Sequence, residues 1–169
     1  KSLYQSGSAR IKAANNTGLV GYWSMNEGTG PYAGDSSGNN NNGTLTNGPA
    51  WVDGKRGKAL NFDGVDDYVA FSNNFIPTGA VTISAWVKKS VLQTGFKAVV
   101  STNPYDSGDN YGIWSFGDNW YVQFNGNTAT CAAITYGSWT HLVLVKDGPT
   151  GRLYVNGVQS CTLGVADQT

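Results

Sequence analysis

The run Val81-Thr82-Ile83-Ser84-Ala85-Trp86-Val87-Lys88 sets Val81, Ile83, Ala85 and Val87 on one side and Trp86 on the other. A period of two belongs to a strand with one face buried and one face wet. The same pattern recurs in short runs at residues 18–25, 44–45, 51–52, 98–101, 111–116, 120–124, 139–146, 151–155 and 158–161, bounded by Gly, Asn or Asp. Asn156-Gly157 is a two-residue hairpin signal, and Gly117-Asp118-Asn119 joins another pair of runs. About ten short strands with turn residues between them, and no sustained helical period, predict a β-sandwich.

Residues 57–71, GKALNFDGVDDYVAF, hold the densest charge in this pattern. Alternation on both sides of the turn predicts a β-hairpin with Asp63, Asp66 and Asp67 crowded at its tip. Three like charges so close repel unless water, backbone N–H groups or a cation offset them. Two readings follow: a solvated turn whose Asp side chains bond their own backbone, or part of a Ca²⁺ shell built from carboxylate and carbonyl oxygens.

The formal net charge is zero, which removes any electrostatic case for nucleic acid or an acidic membrane. Only 13% of residues are charged while 12% are aromatic, a balance that fits a turn-rich extracellular domain. A near-neutral surface also tolerates self-association. Cys131 and Cys161 stand outside any metal-type CxxC pair, so a disulfide in an oxidising compartment is favoured over free thiols. Residues 1–17 carry Lys1, Arg10 and Lys12 with few large apolar side chains. They read as a linker or docking arm, leaving residues 18–169 as one domain. The sequence opens on Lys1 without an apolar leader, as a mature product, an excised domain or a fragment would.

Several motifs together resemble the laminin-G-like jelly roll of the concanavalin A-like lectin/glucanase superfamily. They are Val20-Gly21-Tyr22-Trp23 through Glu27-Gly28, Asp35-Ser36-Ser37-Gly38, Gly57-Lys58-Ala59-Leu60 through Asp63-Gly64-Val65-Asp66-Asp67-Tyr68-Val69, Thr82-Ile83-Ser84-Ala85-Trp86-Val87, Trp139-Thr140-His141, and Leu153-Tyr154-Val155-Asn156-Gly157. The resemblance implies an all-β, two-sheet antiparallel sandwich. Such domains usually continue past the Asn-Gly hairpin with closing strands, so either an economical closure or a strand from elsewhere is expected after Cys161. The first residues are also similar to the region after the hydrophobic helix of some bacterial pilin-like surface proteins.

The resemblance covers lectins, adhesion modules, enzyme accessory modules and glycosidases, so function has to come from residues. Retaining glucanases need two carboxylates about 5 Å apart. Here Glu27 is the sole glutamate and lies in a loop, Asp106 and Asp109 share a loop, and His141 stands in a structural strand. A non-catalytic module is expected. The resemblance implies a structural Ca²⁺, with Glu27, Asp35, Asp63, Asp66 and Asp67 as candidate ligands. A sugar site needs aromatic faces beside amide and carboxylate groups. Tyr105, Asp106, Asp109, Asn110, Tyr111, Trp114 and Trp120 supply that chemistry, although either tryptophan can equally serve the core. The expected partners are glycans or cell-surface glycoconjugates, at an extracellular location. A subunit of a surface filament, contacting identical copies, and an accessory module of a carbohydrate-active enzyme are the alternatives.

Overall fold

The computed structural model describes residues 17–71, 79–102, 111–124 and 126–164. Thirteen strands run in chain order among them: β1 (Tyr32–Ala33), β2 (Gly43–Thr46), β3 (Ala50–Asp53), β4 (Lys58–Asn61), β5 (Tyr68–Phe71), β6 (Val81–Lys88), β7 (Lys97–Ser101), β8 (Tyr111–Phe116), β9 (Asn119–Phe124), β10 (Asn127–Ala133), β11 (Trp139–Asp147), β12 (Thr150–Val155) and β13 (Val158–Gly164). There is no helix among the described residues.

Two four-stranded antiparallel sheets form the sandwich, one ordered β10-β9-β8-β7 and the other β13-β12-β11-β6. Their inner faces follow directly from the alternation. Trp120, Val122 and Phe124 occupy every second position of β9 and join Ile113 from β8; Leu142, Leu144, Leu153 and Leu163 answer from the facing sheet, all buried in one cluster. Gly151 belongs to this packing. A Cβ there would run into the Phe124 ring, so the aromatic lies directly on the β12 backbone. The β12–β13 turn is the expected tight one, with Asn156 at φ 52° and Gly157 at φ 84°, the two left-handed residues that a hairpin of this twist requires. Cys131 on β10 and Cys161 on β13 are joined in a disulfide, stapling the edge strands of the two sheets together.

Two smaller sheets precede the sandwich, β1-β2-β5 and β3-β4. Here the structure departs from the expected central hairpin. The strands flanking the aspartates do not pair with one another: β4 pairs with β3, and β5 pairs with β2. Residues 62–67 are therefore a crossover between sheets. Their side chains take over the work of a ladder, since Asp63 Oδ1 accepts from Val65 N–H and Asp67 Oδ2 from Asp63 N–H. Residues 18–25 also differ from expectation, forming one bridge, Trp23 to Asp35, instead of a strand. Asn and Asp side chains in the following loop hold that segment, as described below. The small sheets touch the sandwich through named contacts: Lys55 Nζ sits 3.7 Å from the Trp86 ring centroid, and Lys97 Nζ donates to Gly64 O at 2.8 Å.

Candidate functional site

Inner and outer faces of β8 and β9 are fixed by register. The turn pairs Phe116 with Asn119, hence Trp114 with Tyr121 and Ser115 with Trp120. Because Trp120 belongs to the core, Phe116 and Tyr121 must point to the opposite, outer face. There Phe96, just before β7, stacks on Phe116 with centroids 4.5 Å apart, and Tyr121 meets both edge-on at 5.5 and 6.0 Å. Phe116 remains 42% exposed. A ring trio with one member open to solvent is an apolar platform at one end of the sandwich. Gln123, on the same outer face, is buried, and among the described residues its side-chain carbonyl oxygen has no hydrogen-bond partner.

Polar groups surround that end. Tyr136 Oη donates to Asp118 Oδ1 at 2.8 Å. Desolvation, and then the hydrogen bond and charge of Asp118, push the phenol above its ordinary value. Lys89 Nζ donates to Ser115 Oγ at 2.6 Å. Its pKa is lowered, first by desolvation and then by repulsion from Lys97, with Asp118 opposing. The acidic crossover docks beside the same place. Gly64 accepts from Lys97, the residue after Phe96, and a Cβ on Gly64 would strike the Gln93 side chain. Asp63, Asp66 and Asp67 each offer a carboxylate oxygen, all within 4.8 Å of one another.

The expected metal ligands therefore divide. Asp63, Asp66 and Asp67 come together, and their all-oxygen donor set suits a hard cation. Glu27 and Asp35 lie outside that group. Glu27 Oε1 accepts from Gly34 N–H at 3.0 Å. Asp35 is committed more fully: Oδ1 accepts from Tyr22 and Ser37 N–H at 2.9 and 2.8 Å, and Oδ2 from Ser37 Oγ and Asn41 N–H at 2.7 and 2.9 Å. Four donors leave this carboxylate no free lone pair for a cation. Asp35 is a hub for the loop and lies apart from the aspartate cluster.

Burial alone would raise the Asp35 pKa, but the donors of Tyr22, Ser37 and Asn41 together outweigh it and hold it below 3.8. A depressed folded value means a stabilisation present above the unfolded pKa and lost as pH falls through the folded one. Asp35→Ala is expected to cost about 2 kcal/mol at neutral pH, as several charge-assisted bonds on a half-exposed loop disappear. In urea melts the gap between wild type and variant should close in acid. A gap that stays constant into acid would show that the carboxylate charge is not what the loop uses.

The expected sugar ligands are redistributed as well. Trp114 and Trp120 are 4% and 2% exposed, on opposite faces of the sheet, so neither presents a ring to solvent. Tyr111 packs edge-on against Phe124 at 5.4 Å, on the core side. Tyr105, Asp106, Asp109 and Asn110 lie outside the described residues. His141 stacks on its cross-strand partner Trp86 with centroids 4.8 Å apart and shares a 2.9 Å hydrogen bond with Ser84 Oγ, on the outer face of the other sheet.

Comparison with known proteins agrees with this architecture. An S-layer domain-containing protein from Clostridium thermocellum (residues 221–444) is similar at 25% identity and TM-score 0.54, over 86% of this chain and 72% of that one. Domain 4 of AbnA, a GH43 extracellular arabinanase from Geobacillus stearothermophilus solved with arabinotriose, is similar at 24% identity and TM-score 0.58, over 78% of this chain and 69% of that one. No curated protein sequence matches the chain. The laminin G-type family model matches residues 63–169, well over half the sequence, and with the two-sheet sandwich it shows that the chain belongs to the concanavalin A-like lectin/glucanases superfamily.

Proposed function

We propose that this chain is a non-catalytic, extracellular glycan-recognition module that reads sugar on the Phe96–Phe116–Tyr121 platform. The observation that carries the reading is the exposed Phe116 ring, backed by Phe96 and held upright by Tyr121. A pyranose or furanose presents an apolar C–H face that stacks on such a ring, while its hydroxyls seek nearby acceptors. Asn119 stands opposite Phe116 and Thr130 opposite Tyr121, placing polar groups beside the rings. Membership of a lectin and glucanase superfamily supports the ligand class. Glu27 and Asp35, tied to backbone donors, support a role without acid–base chemistry. Likeness to an S-layer domain-containing protein supports a cell-surface setting, either free-standing or as an accessory module. The Asp63, Asp66 and Asp67 carboxylates are proposed to hold a structural Ca²⁺, fixing the crossover against Phe96 and Lys97.

The test is a glycan-array screen of the purified chain in calcium and in EDTA, repeated with Phe116→Ala. A coherent set of neutral glycans should bind, and the variant should lose about tenfold in affinity, the worth of one stacked ring. Binding that weakens in EDTA would assign the metal a part in it. Full binding by Phe116→Ala would remove the platform, and silence of the wild type in both buffers would remove the function.

A further inference from the structure

The outer face of the β6–β11–β12–β13 sheet takes no part in the Phe116 platform. Leu142, Leu144 and Leu153 fill the inward positions of β11 and β12, so the alternate residues His141 and Arg152 point outward. Register then sets Trp86 beside His141 and Lys88 beside Trp139 on that outer face. Trp86 is 47% exposed, and the imidazole stacked on it is held by Ser84 Oγ. Each tryptophan has an ammonium near its ring: Lys55 Nζ lies 3.7 Å from the Trp86 centroid, and Lys88 Nζ 5.5 Å from that of Trp139. The rings therefore hold two long, flexible cations in place before any ligand arrives.

Charge on this face is one-sided, although the whole chain is neutral. Its four strands contain one carboxylate, Asp147, at the end of β11 away from Trp139. Asp53, on the strand leading to Lys55, is taken by Lys58 at 2.7 Å. The Asp63, Asp66 and Asp67 group belongs to the crossover, which is tied through Gly64 to Lys97 of the other sheet. Among the described residues no carboxylate pairs with Lys55, Lys88 or Arg152.

We propose that this face is a second glycan site and takes a carboxylate-bearing polysaccharide, a polyuronate. Carboxylates along the polymer pair with Lys55, Lys88 and Arg152, and its sugar C–H groups rest against Trp86 and Trp139. Successive outward positions of one strand are about 7 Å apart, so a single flexible polyanion reaches both lysines. Exposed hydroxyls of Thr82 and Ser84, outward on the same strand, face the sugar hydroxyls. Three cations among hydroxyl groups and rings suit a sparse polyanion better than a phosphate backbone, which a chain without net positive charge does not attract. The site stands or falls apart from the Phe116 platform, which lies on the other sheet.

Isothermal titration of the full chain with a short oligogalacturonate tests it, in EDTA so that no metal bridges the carboxylates. The acid should bind at low salt and weaken as salt is raised. Its fully methyl-esterified form, with the same sugars and no charge, should bind about tenfold more weakly or worse. Lys55→Gln with Lys88→Gln should also cost about tenfold, with an unchanged urea midpoint, and Lys55→Arg with Lys88→Arg should retain binding. Lys88→Gln alone should cost about threefold, whereas Lys97→Gln, which removes the same charge from the other sheet, should cost less than about twofold. Absence of binding would overturn the proposal, as would equal binding of acid and ester or equal losses from Lys88→Gln and Lys97→Gln. Tighter binding of an oligothymidylate or an oligoglutamate of equal charge would overturn it in favour of a nucleic acid or an acidic peptide.

Discussion

Trp120→Ala is expected to lower stability by about 3–5 kcal/mol, the usual cost of deleting a large aromatic from a close-packed core. Trp120 is among the largest fully buried side chains and sits where the inner faces of the two sheets meet, with Val122 and Phe124 beside it on β9. The facing leucines come from β11, β12 and β13, so the cavity would open between sheets, where backbone relaxation is limited by ladders on both sides. Against a typical total of about 5–15 kcal/mol, that is a large fraction of the fold. Trp120→Phe separates packing from polarity. Among the described residues no acceptor reaches the buried Trp120 Nε1–H, a cost that phenylalanine removes. The phenylalanine variant should therefore lose much less, about 1 kcal/mol, because relief of the unpaired donor offsets part of the lost volume. Urea midpoints of the three proteins measure both quantities. If Trp120→Ala unfolds at the wild-type midpoint while glycan binding disappears, the residue is a ligand platform and the core assignment is wrong.

The contrast between Trp114 and Trp120 shows how far alternation carries. Runs such as VTISAWVK and WTHLVLV declare their strands and buried faces, because apolar and polar residues take turns and only one face can be covered. The Asn156-Gly157 turn and the pairing of β8 with β9 were legible for the same local reason. Register within that hairpin was legible too: a Gly117-Asp118 turn sets Phe116 against Asn119, which puts Trp114 and Trp120 on opposite faces. Composition along the stretch leaves each tryptophan open to a sugar site or the core, and burial of both assigns them to packing. The signal for Phe116 and Tyr121 lay in the same parity, although Phe96 joins them only through the β7–β8 pairing.

What local pattern does not carry is which strand finds which. Residues 57–71 read as a hairpin because both arms alternate around turn residues, yet β4 and β5 belong to different sheets. The choice is made by partners that lie outside residues 57–71. Leu45 and Val69 pair across β2 and β5, and Trp51 and Leu60 across β3 and β4. The donors of Asp35 mix both ranges: Ser37 and Asn41 come from its own loop, while Tyr22 lies on the preceding segment. Clustering of Asp63, Asp66 and Asp67, by contrast, is a short-range consequence of one turn and could be read directly.

Removing the disulfide, by reduction or by Cys131→Ala with Cys161→Ala, is expected to cost about 3–4 kcal/mol from the chain entropy released by opening a loop of this length. The cysteines are 30 residues apart in sequence, with Cα atoms 5.0 Å apart in the fold. The bond ties β10 to β13, each the edge strand of its own sheet, along one open side of the sandwich. Beside it Ala132 N–H donates to Ser160 Oγ at 2.6 Å, and a shallow cleft runs past Thr130, Val155 and Val158. Two edges that part expose unpaired backbone groups, so the reduced protein should aggregate on warming as well as unfold earlier. Urea midpoints with and without reductant give the first effect, and light scattering during a thermal ramp gives the second. The folded, unreduced protein should take up no thiol reagent until it is denatured and reduced. Ready labelling of both cysteines in the native state would mean that the two sheets hold together by packing alone. The loss would then fall to the cost of two small side chains, Cys131 buried and Cys161 half-buried, about 1 kcal/mol each at most.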